Sequence, residues 1–197
     1  MGKTLIHTKE GLVLSAIEVI NDVGISNLSI RKVASQQGVT EAAIFRHYKS
    51  KNELLLAVLD FFSKYDSDVF ATVALKKLTP TESIHYCLNT YATYYENYSA
   101  ITAITQIHEV FRNEMELREK IDTIIMDRTH FMSGLIDEAI QKNEIAPHVD
   151  SEQLAIIIWG YFREVCMKWR ISEYAFPLRE RVQESLHMIL RAFSKRE

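Results

Sequence analysis

Apolar residues recur along this chain at the three-to-four-residue spacing of helices, segment after segment. Over residues 8–23, Leu12, Ala16, Ile20 and Val23 share one face, and Gly24 stops that helix. From Asn52 to about Lys76, the residues Leu55, Val58, Leu59, Phe62, Val69 and Val73 predict a long helix. Thr79-Pro80-Thr81-Glu82 reads as a helix start, with a capping hydroxyl, an early proline and an acid in the first turn. The helix that follows turns Ile84, Cys87, Leu88, Tyr91, Tyr95 and Tyr98 inward, and a shorter one is expected over residues 101–111. Ile121, Ile124, Ile125, Phe131, Met132, Leu135 and Ala139 then line an amphipathic helix over residues 114–143. Pro147 breaks the chain, and Asp150 or Ser151 caps the next helix.

The last two helices differ in character. From Leu154 to Ile171 apolar residues fall almost all round: Leu154, Ile156, Ile157, Ile158, Trp159, Tyr161, Phe162, Val165, Met167 and Trp169. Such a helix must be covered on several faces, either as a central core element or between its own core and a second subunit. After Pro177 a final helix carries Leu178, Val182, Leu186, Ile189, Leu190 and Phe193. No segment reads as a strand hairpin, and 6 Gly with 3 Pro are too few for a turn-rich β fold. The expected fold class is all-α.

One stretch carries more than periodicity. Residues 29–51, SIRKVASQQGVTEAAIFRHYKSK, read as two short helices around a tight turn at Gly38, the residue suited to positive φ. Ile30, Val33 and Ala34 face inward from the first helix, Val39 plugs the gap, and Ala43 and Ile44 anchor the second behind a Thr40 cap. Thr40, Glu41, Ala42, Phe45, Arg46 and His47 are left on or beside the outer face. That is the layout of a helix-turn-helix, one helix held by a small core and the other free to enter a major groove.

Charge sharpens this picture. The chain has 23 Lys/Arg against 26 Asp/Glu, a net charge of −3. Residues 1–52 nevertheless hold seven cations (Lys3, Lys9, Arg31, Lys32, Arg46, Lys49, Lys51) against four acids (Glu10, Glu18, Asp22, Glu41). Basic charge is thus concentrated where phosphate contact would need it.

From about Leu12 to about Leu59 the chain resembles the DNA-binding domain of the TetR family of bacterial transcriptional regulators. The matching features are Ala16, Gly24, Ser29-Ile30-Arg31, Val33-Ala34, Gly38-Val39-Thr40, Ile44-Phe45-Arg46-His47-Tyr48 and Lys49-Ser50-Lys51-Asn52-Glu53-Leu54-Leu55. One position departs: the family usually has a tyrosine where Phe45 stands, and its hydroxyl bonds a phosphate. Phe45 keeps only packing against a sugar or a thymine methyl.

The resemblance implies an N-terminal three-helix helix-turn-helix domain over residues 1–51. Residues 52–197 would form a helical effector-binding and dimerisation domain, paired through the last two helices. The implied function is a cytoplasmic, sequence-specific transcriptional regulator, a homodimeric repressor released from a near-palindromic double-stranded DNA operator by a small-molecule effector. The alternative is a DNA-bound structural or cell-cycle protein of the same fold without an effector. The expected DNA contacts are Ser29, Arg31, Thr40, Glu41, Ala42, Phe45, Arg46, His47 and Lys51. Of these, Arg31 suits a guanine edge or a phosphate, Glu41 a cytosine amino group and Ala42 a thymine methyl. Arg46 suits a base or phosphate, and His47, Thr40 and Lys51 suit phosphates.

Other chemistry is sparse. There is no Gly-x-Ser-x-Gly, P-loop or Gly-x-Gly-x-x-Gly, so no catalytic role and no cofactor is expected. No two histidines have the spacing of a helical metal site, and His108-Glu109 beside His130 is the one weak candidate. Cys87 and Cys166 read as reduced core residues, and no apolar run is long enough for a membrane span. Arg128 falls on the apolar face of its helix. It is read as an internal ion-pair partner of an acid such as Glu109, as a side chain that snorkels to the edge, or as an anchor for an anionic or carbonyl-bearing effector. Tyr91, Tyr95 and Trp159 can line the same pocket or simply pack a core, and Arg163 can serve a ligand or a dimer interface.

Overall fold

The computed structural model describes residues 9–106 and 114–195. Its helices are α1 (Lys9–Val23), α2 (Ile30–Gln37), α3 (Glu41–Phe45), α4 (Lys51–Leu75), α5 (Pro80–Asn97), α6 (Met115–Gln141), α7 (Ser151–Ile171) and α8 (Leu178–Phe193). Two 3-10 segments, Ile25–Asn27 and Ser99–Gln106, join them. The second falls where the shorter helix was expected over residues 101–111, and its winding is 3-10; of that span, residues 107–111 lie outside the described residues. Among the described residues there is no strand, only an isolated backbone bridge between Ile145 and Ser194.

The chain divides into two compact units, Met1–Lys64 with Ser99–Asp122, and Tyr65–Tyr98 with Thr123–Glu197. The division falls inside α4 and inside α6. In the first unit α1 packs on α2 and on the 3-10 segment Ser99–Gln106, and α2 packs on α3. Its core is built from Leu12, Ala16, Ile17, Ile20, Val33, Ile44, Leu54 and Val58, each nearly or fully removed from water. The early part of α4 pairs there with the early part of α6 and with the residue just before it. Asn52 Nδ2 donates to Glu114 Oε2 at 2.8 Å, and Lys120 Nζ meets Asp60 Oδ1 at 2.7 Å.

In the second unit α5 packs on α8, and α7 packs on α8. Ile84, Leu88, Tyr91, Tyr95, Met132, Ile136, Ile158, Phe162, Val182 and Leu186 fill its core. Here the later part of α4 again pairs with α6, through Asp66 with Arg128 and through stacked Phe70 and Phe131 rings 4.0 Å apart. Of the apolar face expected on α6, Ile125 departs and is 42 % exposed, beside exposed Met126. Ile121, Ile124 and Met132 suffice to fill the contact on that side.

Helix starts are capped as the residue types suggest. Ser29 accepts from Lys32 N–H, Thr40 from Ala43 N–H and Asp150 from Gln153 N–H. At Thr79 the cap is reciprocal: its side chain accepts from Glu82 N–H while Glu82 accepts from Thr79 N–H, with Pro80 in the first turn. Glu144 reaches the same turn from the α6–α7 connection and accepts from both the amide and the hydroxyl of Thr81. We expect Thr79→Ala to cost about 1 kcal/mol. The check is urea denaturation followed by circular dichroism: the midpoint should fall while its slope stays unchanged.

Candidate DNA-binding and effector sites

The helix-turn-helix is assembled from a few local constraints. Ser29 in extended backbone stops the chain and starts α2. Gly38 takes φ 72° and ψ 33°, the left-handed conformation that closes α2, and the amides of Gly38 and Val39 return to the carbonyls of Ser35 and Ala34. Thr40 then starts α3, which has one regular turn and continues through His47 and Tyr48 amides bonded to the Ile44 carbonyl. Ile44 is completely buried, and Tyr48 is nearly so, its hydroxyl donating to Lys9 O at 3.1 Å. A buried hydrogen bond from Ser15 Oγ to Gln37 Oε1 ties α1 to the end of α2.

Arg31, Thr40, Glu41, Ala42, Phe45 and Arg46 are all exposed on this scaffold. Phe45 is 48 % exposed, a large apolar ring in water with no partner needed from the domain core. Ser29 and Thr40 each commit a hydroxyl lone pair to a helix amide but keep a proton to donate. His47 is half-buried. With Leu12, Val39 and Ala43 it lines a small cleft of about 20 Å³. Lys51, the first residue of α4, is half-buried. Glu53 closes the start of α4 by accepting from Lys49 N–H at 2.6 Å, while Ser50 Oγ accepts from Glu53 N–H.

In the second unit the structure brings Tyr91, Tyr95, Arg128 and Trp159 together. Arg128 Nε and Nη2 donate to the two carboxylate oxygens of Asp66 at 2.8 and 2.7 Å, a bidentate pair with side chains 14 % and 7 % exposed. Tyr91 Oη donates to the same Asp66 Oδ1 at 2.7 Å. Trp159 Nε1 donates to the Arg128 carbonyl at 3.0 Å. The guanidinium lies 5.2 Å from the Tyr91 ring centre and 5.5 Å from that of Trp159. Tyr95 and Phe162 extend the aromatic wall, with ring centres 5.7 Å apart.

Burial pulls the Arg128 guanidinium down, but the oxygens of Tyr95, Asp66 and Tyr91 outweigh it and hold its pKa above the ordinary value. Burial pushes the Tyr91 and Tyr95 hydroxyls well up, so both stay neutral. Cys87 and Cys166 are free and buried, and burial raises each thiol to about 12.

The partner of Arg128 is therefore Asp66, and Glu109, the acid first considered, lies outside the described residues. Sequence reasoning passed over Asp66, although the signal was there. Phe62, Val69 and Val73 put one stripe of α4 inward, and Asp66 stands on that stripe. Arg163 is exposed on α7, away from the buried cluster's aromatic wall. His108 and Glu109 also lie outside the described residues. Among the described residues no three His, Cys, Asp or Glu side chains converge as metal ligands, and no helix is long and apolar enough to cross a membrane.

Two family descriptions cover nearly all of this architecture. "Bacterial regulatory proteins, tetR family" matches residues 12–58, and "YsiA-like protein, C-terminal region" matches residues 61–192. The chain belongs to the TetR family. It is a DNA-binding transcriptional regulator. The fatty acid metabolism regulator protein of Bacillus subtilis is 24 % identical over 169 residues, spanning 83 % of this chain and 84 % of the relative. A solved structure of the transcriptional regulator FadR from Bacillus subtilis in complex with stearoyl-CoA superposes with a TM-score of 0.79 at 22 % identity, covering 91 % of this chain and 96 % of that one. The nucleoid occlusion factor SlmA of Vibrio vulnificus is 22 % identical over 162 residues, 82 % of each chain.

We expect Lys51→Ala to weaken binding to all duplexes by a similar factor and to flatten the salt dependence by about one unit of slope. Fluorescence anisotropy over a salt series, on specific and scrambled duplexes, reads both; an unchanged slope would remove Lys51 from the phosphate contacts.

Proposed function

We propose that this TetR-family protein is a homodimeric repressor, acting on cytoplasmic DNA at a near-palindromic operator and released by a long-chain acyl compound. In the division we propose, residues 1–51 read DNA, while residues 52–197 take the effector and pair the subunits. The observation that carries the effector is the likeness, over most of both chains, to a regulator of fatty acid metabolism, together with a shared fold with a protein solved in complex with stearoyl-CoA. The aromatic, apolar interior around Arg128, Tyr91, Tyr95 and Trp159 suits such a ligand: a greasy wall with a few polar tips.

The dimer reading is supported by what α7 leaves uncovered. Ile156 and Ile157 are 48 % and 46 % exposed, Ile171 is 76 % exposed, and Met188 on α8 is 68 % exposed. Gly160 lies between them, and a Cβ there would meet nothing within 4 Å, so the subunit's own packing does not require glycine. A helix crossing closely at Gly160 would. Paired around a twofold axis, such faces are self-complementary. The recognition helices would then lie about 34–36 Å apart, one turn of the duplex.

A second reading keeps the DNA-binding fold but dispenses with the effector, as the likeness to a nucleoid occlusion factor suggests. One titration separates the two. With an operator selected from genomic fragments, stearoyl-CoA should weaken binding by about tenfold or more, within the usual range of allosteric coupling. Unchanged operator affinity would favour the second reading. For assembly, Ile157→Glu should convert the protein to a monomer in sedimentation velocity with its helicity intact; a variant that stays dimeric would place the interface elsewhere.

A further inference from the structure

The buried polar group around Arg128 carries one further inference, which rests on the acyl-effector reading above. The guanidinium fork is occupied by Asp66, a carboxylate supplied by the protein itself. Asp66 engages its oxygens with Arg128 and Tyr91. Tyr95, 1 % exposed, places its hydroxyl oxygen against the same guanidinium, which can donate to it, while its own O–H has no acceptor in reach. A buried O–H with no acceptor is costly, and native structures rarely leave one so. The guanidinium cannot accept, because it carries donors only. The group that satisfies Tyr95 is an oxygen acceptor.

We propose that Arg128 and Tyr95 receive the oxygen-bearing head of the effector, a carboxylate or an acyl carbonyl, and that Asp66 is the internal occupant which this oxygen displaces. A cationic head would meet the Arg128 charge, and the Asp66 carboxylate is already neutralised by that charge. An oxygen acceptor gains the Tyr95 hydroxyl and a guanidinium N–H together. The Tyr91 and Trp159 faces stay over the guanidinium throughout and limit its movement. The loss falls on Asp66, which gives up part of its bidentate pair. Asp66 stands on α4, the helix that begins at Lys51, directly after the helix-turn-helix. Exchange at Arg128 therefore loosens α4 from α6 inside the second unit, which gives the effector unequal affinity for two states of the protein.

The test uses the intact protein in a Trp169→Phe background, so that Trp159 alone reports, with operator anisotropy read in parallel. Palmitate, palmitoyl-CoA and coenzyme A are titrated separately. Asp66→Asn removes the competing carboxylate and should bind the acyl probe about tenfold tighter, because the receptive state is no longer a minor one. Tyr95→Phe should bind it about tenfold more weakly through the lost hydrogen bond. Arg128→Met leaves Asp66 buried and alone, so the informative variant is Asp66→Asn with Arg128→Gln, a neutral pair of similar size. It should keep its helicity by circular dichroism and ignore the acyl probes.

A response to palmitate supports a carboxylate head, and a response to palmitoyl-CoA alone supports the thioester carbonyl. A response to coenzyme A without a chain overturns the proposal. So does unchanged acyl affinity in both Tyr95→Phe and the neutral pair, which leaves the effector reading intact. If no acyl probe moves wild-type operator binding, the effector reading fails and takes the exchange with it.

Discussion

A charged pair taken out of water organises the second unit. Isolated, either Asp66 or Arg128 would be prohibitively expensive inside a protein, and the geometry repays the cost only because it is complete. Both carboxylate oxygens face guanidinium N–H groups, Tyr91 adds a third donor, and two aromatic rings flank the cation. The group joins four helices at one point: α4 through Asp66, α5 through Tyr91, α6 through Arg128 and α7 through Trp159. Apolar side chains of equal volume would pack there too, but they would tolerate sliding. Directional bonds fix one alignment of α4 against α6, and breaking one member strands the others.

The DNA-binding side follows the opposite economy. Its recognition helix has one regular turn, too short to hold itself. It is held from behind by Ile44 and Tyr48, from the front end by the Thr40 cap and across the turn by Gly38 in a left-handed conformation. With those groups serving the frame, Arg31, Glu41, Ala42, Phe45 and Arg46 stand exposed beside the donors of Ser29 and Thr40. Phe45 sets a large apolar ring, 48 % exposed, among these side chains.

Much of this was legible before any coordinates. The helical periods, the Gly24 and Gly38 stops and the Thr79-Pro80 start announce themselves because they depend on near neighbours. The inward position of Arg128 was legible for the same reason. Its partner was not, since Asp66 is 62 residues away and only packing brings the two stripes together. Ile125 failed in a related way: periodicity counts apolar positions without knowing how wide the covering neighbour is. The 3-10 winding of Ser99–Gln106 was not legible, because Ser, Ala and Thr leave local backbone preference undecided, and Thr102 and Thr105 hydroxyls bond carbonyls three residues back.

The two cysteines give this interior a timekeeper. Cys87 and Cys166 are the only thiols of the chain, both are buried, and both sit within the electrostatic reach of Arg128. With thiols raised to about 12, almost no thiolate exists near neutrality, and alkylating reagents have neither access nor a nucleophile while the fold is closed. Each modification event must therefore wait for the helices to part, so the rate of labelling reports their opening: its equilibrium when reclosing is faster than labelling, its rate when labelling is faster. The same silence means that a cysteine placed on the exposed face of α2 can carry a spin label or dye in the natural background, with no thiol removed first.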